Sequence, residues 1–207
     1  MQRERILIIL LVIICGLLAA TAVHPYDRIT WVMEVAPVLI VLPILVLTYR
    51  KLPLTSLLYF LIFLHAIILI TGGSYTYARV PLGFWVQELF QLDRNHYDRL
   101  GHFFQGLVPA LLARELLLRL GYVSSRRMVS FLAICVAMAI SAWYELIEWA
   151  AAVLLGQKAD DFLGTQGDPW DTQWDMFMCF IGASVAMSGL SSEQDRQIES
   201  QIDTGVS

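Results

Sequence analysis

Charge is scarce in this chain. Only 15% of its 207 residues are Asp, Glu, Lys or Arg, against 57% hydrophobic residues, and the mean hydropathy is +0.63. That balance lies outside ordinary soluble usage and excludes a conventional soluble domain. The net charge of −4 and the lack of any Lys/Arg block exclude a nucleic-acid footprint. Cysteine is sparse as well. Cys15, Cys135 and Cys179 sit in separate apolar runs without C-x-x-C spacing, so no disulfide framework is expected and each reads as a small buried residue. No inverted repeat is evident, which weighs against a transporter assembled from two halves.

What the chain has instead is apolar length. Five long apolar runs and a sixth interrupted by polar residues are each close to the roughly 20 helical residues that cross a bilayer core. Expected spans lie at about 6–23, 31–49, 54–71, 100–120, 128–148 and 172–190. They predict an all-α fold, a polytopic membrane helix bundle of about six transmembrane helices in a single membrane domain over 1–190. The first run follows Arg3 and Arg5 and ends near Ala20-Thr21-Ala22. It is longer than the roughly 7–15 residues of a signal-peptide core, so it reads as an uncleaved helix. Pro37 and Pro43 should kink the second helix, and Gly72-Gly73 should stop the third.

Between helices three and four, residues 72–99 mix aromatic with polar residues. This stretch is expected to be an interfacial loop, with Phe84, Trp85 and Phe90 at headgroup level. The fifth run continues to Leu155, and Trp143, Tyr144 and Trp149 mark where it reaches the interface. Asp168-Pro169 reads as an N-cap followed by proline at the first position of the last helix. Residues 191–207, polar and without aromatics, read as a disordered tail. Six helices put both termini on one side, and the Lys/Arg bias places that side in the cytoplasm.

The ionisable residues then collect at one leaflet. Glu34 and His65 lie towards the same end as His102, Glu145, Glu148, Asp171 and Asp175. Asp98 and His102 are i,i+4, Glu145 and Glu148 are i,i+3, and Asp171 and Asp175 are i,i+4, so each pair shares a helical face. A charge in a bilayer core costs roughly 2.5 kcal/mol or more, so the clustering needs a reason. His102, Asp98, Asp175 and Asp171 form a donor set suited to a divalent metal ion, and His with carboxylates favours Zn²⁺, Mn²⁺ or Fe²⁺. Without a metal, His102, Glu145 and Glu148 are candidates for general acid/base catalysis. Arg94 and Arg99 on the same side either bind a phosphate or carboxylate of a substrate or form a structural ion-pair network. His65 is either a substrate-binding group or a histidine hydrogen-bonded between helices. Glu115 and Arg119 read as a helix-face pair.

Four stretches, GGSYTYARVPLGFW, RNHYDRLGHFFQG, WYELIEWAAA and FLGTQGDPWDTQWDM, resemble the YjdF-type family of bacterial inner-membrane proteins. The resemblance implies an inner-membrane location and supplies no activity. Over its last half the chain is also similar to the VanZ-like membrane family. Asp98 and His102 match that family's Asp-x-x-x-His motif, Glu145 or Glu148 its acidic residue, and Asp175 with Gly182 its Asp-x-x-x-Asn-x-x-Gly motif, with Cys179 at the Asn position. This second resemblance implies work at the cell envelope. The partners expected are the lipid bilayer and an envelope lipid or lipid-linked molecule, handled by an enzyme such as a metal-dependent hydrolase or transferase. A small-molecule transporter or ligand-binding membrane module is the alternative, as is a structural component whose polar groups only fasten helices.

Overall fold

In the computed structural model, residues 2–155 and 165–203 are described, and every regular element among them is helical. The helices are α1 (Gln2–Val23), α2 (Arg28–Thr48), α3 (Ser56–Tyr75), a 3-10 turn (Tyr77–Arg79), α4 (Pro81–Phe90), α5 (Tyr97–Arg119) and α6 (Arg126–Leu155). α7 (Asp171–Val185) and α8 (Ser191–Asp203) follow, joined by a π-helical turn over Ala186–Leu190. Residues 156–164 and the end of the expected tail at 204–207 lie outside the described residues.

Gln2–Val23, Arg28–Thr48, Ser56–Tyr75, Arg126–Leu154 and Asp171–Gln201 are each long and apolar enough to cross a membrane. α5 has 23 residues, about 34 Å at the usual helical rise of about 1.5 Å per residue. It has the length of a span, but Asp98, Arg99, Arg114, Glu115 and Arg119 interrupt its apolar sequence. α2 runs as one helix through Pro37 and Pro43. α3 does not stop at Gly72-Gly73. A Cβ at Gly72 would lie 2.5 Å from the Tyr77 ring and one at Gly73 3.1 Å from Cβ of Glu34, so these glycines make room for neighbours. The chain turns only at Thr76, whose φ is 61°.

The chain divides into two compact units, to which α2, α3, α5 and α6 each contribute a segment. The first comprises Met1–Leu42, Phe63–Gly101 and Ile147–Pro169. Its core gathers Ile14, Val35, Val38, Ala66 and Ile70, with Trp31 and Phe63 packed against them. Trp31 Nε1 donates to Thr21 Oγ1 at 3.1 Å, tying α2 to α1. Asp27 caps α2 by accepting the Thr30 N–H at 2.8 Å, and that bond holds its carboxyl below the usual range. α4 has only 10 residues, too few to cross the roughly 20-residue core. Leu82, Trp85, Leu89 and Phe90 stand exposed on it, Trp85 at 69%, the pattern of a helix lying at an interface. Buried Asn95 seats α4. Its Nδ2 donates to the carbonyls of Ala78 and Val80, and its Oδ1 accepts the Tyr97 N–H.

The second unit comprises Pro43–Ile62, His102–Leu146 and Trp170–Ser207. Small residues set its helix contacts. On α6, Val129, Ala133, Ala137 and Ser141 recur every fourth position and are fully buried. A Cβ on Gly106 of α5 would lie 1.9 Å from the Cys179 carbonyl oxygen of α7, and a Cβ on Gly182 would lie 1.9 Å from the Phe103 carbonyl oxygen. The two backbones therefore touch directly, as small residues permit in membrane helix pairs. Cys179 is buried in this seam, with its Sγ 3.5 Å from the Ala137 carbonyl. Cys15 and Cys135, expected to be buried, are exposed on their spans, where a weakly polar thiol facing lipid carries little penalty.

The region from residue 191 is ordered as far as Asp203, against the expectation of a disordered tail. Its composition is polar, but the polar side chains have buried partners. Gln194 is fully buried and donates to the Leu111 carbonyl and to Glu115, while accepting from Arg114. Arg114 and Arg126 pair with Asp195. Glu115 also accepts the Thr55 amide at 2.8 Å and hydroxyl at 2.7 Å and pairs with Arg119 at 3.2 Å. The expected Glu115–Arg119 pair is thus part of a network fastening α8 to α5 and to the start of α3.

Two outcomes are expected. Gly106→Ala or Gly182→Ala should lower stability by about 1–3 kcal/mol or more through overpacking, read as a lower melting temperature in detergent. Gly16→Ala, with nothing within 4 Å of its added carbon, should leave the melt unchanged. Truncation after Leu190 should destabilise by about 3–5 kcal/mol, because it strips partners from buried charges; a solvated tail would be lost without effect.

Candidate functional site

The polar groups of the second unit concentrate at one end of the small-residue seam. His102 lies one turn before Gly106 on α5, and Glu145 continues the buried every-fourth-residue stripe of α6 one turn past Ser141. Asp171, Asp175, Cys179 and Gly182 form one buried face of α7. The spacing that packs the three helices thereby turns His102, Glu145, Asp171 and Asp175 inward, each less than 9% exposed.

His102 is the centre of the group. Its Nδ1 lies 2.9 Å from Gln105 Oε1 and 3.8 Å from Glu145 Oε1. Its ring meets Tyr144 edge-on at 6.4 Å between centroids. A ring nitrogen of His102 and a carboxylate oxygen of Asp175 lie within 4.8 Å of one another. Asp98 stands one helical turn ahead of His102 on α5, on the same face. Imidazole and carboxylates at such spacing are the donor types of Zn²⁺, Mn²⁺ and Fe²⁺ sites. The same groups are also suited to move a proton, since carboxylates and an imidazole share a site shielded from water.

The remaining sequence candidates belong to the first unit. Glu148 is buried on α6 one turn beyond Glu145. His65 is half-buried on α3. Arg94 and Arg99 each place Nη2 at 3.3 Å from Asp168 Oδ2, and Arg94 also donates to the Thr165 carbonyl. Asp168 is therefore not the cap of the last helix. α7 starts at Asp171 after Trp170, with no side-chain cap bond. The two guanidiniums compete successfully for the Asp168 carboxylate, and Gln166 reinforces the turn by donating to the Asn95 carbonyl at 2.7 Å. Gln105, Ser141 and the Gly106–Gly182 contact escaped the sequence reading. Gln105 was detectable as an amide side chain one helical turn, i+3, from His102; the glycine contact had no local signal.

Fold and site together define a polytopic helical membrane protein with a buried His/carboxylate cluster. Residues 6–196 match the family described as "Predicted membrane protein (DUF2238)", and the chain belongs to that family. It is 61% identical over 182 residues to "Inner membrane protein YjdF" of Escherichia coli (strain K12), covering 88% of this chain and 87% of that protein. This chain is accordingly an inner-membrane protein. No solved structure matches it.

Proposed function

We propose that the protein uses its His102/Glu145/Asp175 cluster, with a bound divalent metal ion, to bind or act on an envelope lipid or lipid-linked molecule from the outer face of the inner membrane. The observation carrying this reading is the burial of His102 and Asp175, with ligand atoms within 4.8 Å, beside the seam formed at Gly106 and Gly182. Intramembrane ionisable groups are costly and usually mark a functional site. His102 and Asp175 hold the metal, and Asp171 adds an oxygen donor from the turn before Asp175. Glu145, 3.8 Å from His102, is the general base. With the termini in the cytoplasm, as the Lys/Arg bias favours, the cluster falls in the periplasmic half of the membrane. A lipid substrate suits a cluster placed among the spans, because it shares the bilayer with it.

The test is elemental analysis of protein purified in detergent without chelator, comparing the native chain with His102→Ala and Asp175→Ala. Stoichiometric metal in the native protein, falling to background in both variants while the melting temperatures hold, is the expected result. A native protein free of metal, or variants that retain it, would remove the metal from the proposal and leave an acid/base or structural role.

A further inference from the structure

The geometry points to Gln105 as the positioning residue that fixes the tautomer of His102; this inference deepens the proposed metal site and rests on that reading for its consequence. The amide oxygen Oε1 of Gln105 can only accept, and it lies 2.9 Å from His102 Nδ1, so in this amide orientation the hydrogen bond calls for the proton on Nδ1. The second group facing that nitrogen, Glu145 Oε1 at 3.8 Å, is also an acceptor and favours the same protonation. With Nδ1 donating, Nε2 is the ring nitrogen that would ligate a metal ion. Tyr144, edge-on at 6.4 Å, packs beside the ring and limits its rotation.

This is the arrangement in which a histidine ligates through one nitrogen while the other donates to an oriented acceptor, raising ligand basicity and fixing the ring plane. Gln105 is i+3 from His102 on α5, so the helix that supplies the imidazole also supplies its orienting group. Gln105 touches neither a substrate nor the reacting atoms; it acts through His102.

The experiment reads the ring nitrogens of ¹⁵N-histidine-labelled protein by NMR, with the His102 signals identified by their loss in His102→Ala. It is paired with Zn²⁺ titration of the same samples. In the native protein Nδ1 is expected to be protonated and Nε2 to have the lone pair, before any Zn²⁺ is added. Gln105→Met, close in shape but lacking the acceptor oxygen, should lose that single tautomer and weaken Zn²⁺ binding about 10–100-fold. Gln105→Glu, which keeps an acceptor, should retain Nδ1 protonation. A native ring protonated at Nε2, or a Gln105→Met protein with unchanged tautomer, overturns the inference. If Gln105→Met does not fold, the native tautomer and Gln105→Glu decide it. If the native protein shows the Nδ1–H tautomer but binds no Zn²⁺, the inference about Gln105 stands and the metal reading fails.

Discussion

The contact between the backbones of α5 and α7 at Gly106 and Gly182 is the constraint on which the second unit depends. Each missing Cβ leaves space filled by a main-chain carbonyl of the other helix, at 1.9 Å from where the carbon would be. Lipid gives helices little hydrophobic reason to associate, so close packing of small residues supplies the attraction. The same stripe continues on α6 through Ala133, Ala137 and Ser141, all fully buried. Because helix faces repeat every three to four residues, a seam of small residues also decides which side chains beyond it turn inward. At one end those are His102, Glu145 and Asp175, and at the other Arg114, Glu115 and Gln194.

The two ends differ in chemistry. Around Glu115 the groups are complementary: Thr55, Gln194 and Arg119 satisfy the carboxylate, while Asp195 answers Arg114. Removing one member would leave a buried charge uncompensated, which makes the set a fastening device for α8. Around His102 the groups are an imidazole, carboxylates and an amide oxygen, a donor set suited to a cation or a moving proton. That contrast is why we assign function to the second end only.

The all-helical class and the five apolar spans were legible in the sequence because bilayer crossing imposes a length and an apolar composition that few other structures share. His102, Glu145 and Asp175 were legible as candidates because each is ionisable within or beside a span. What local reading missed depends on partners distant in sequence. Residues 191–203 look like a solvated tail until Gln194 meets Leu111 and Glu115. Asp168 followed by proline has the pattern of a helix cap, but Arg94 and Arg99 hold its carboxylate. Gly72 and Gly73 have the pattern of a helix stop, yet they make room for Tyr77 and Glu34 within a continuing helix.

The central claim is that the glycine seam brings His102 and Asp175 together inside the membrane. Thiol bridging in native membranes tests it most directly, using His102→Cys with Asp175→Cys in a chain whose Cys15, Cys135 and Cys179 are replaced by alanine. Added Cd²⁺ should protect both thiols from alkylation together in the double variant and neither in the single variants. Thiols that react in the double variant as they do singly would contradict the claim.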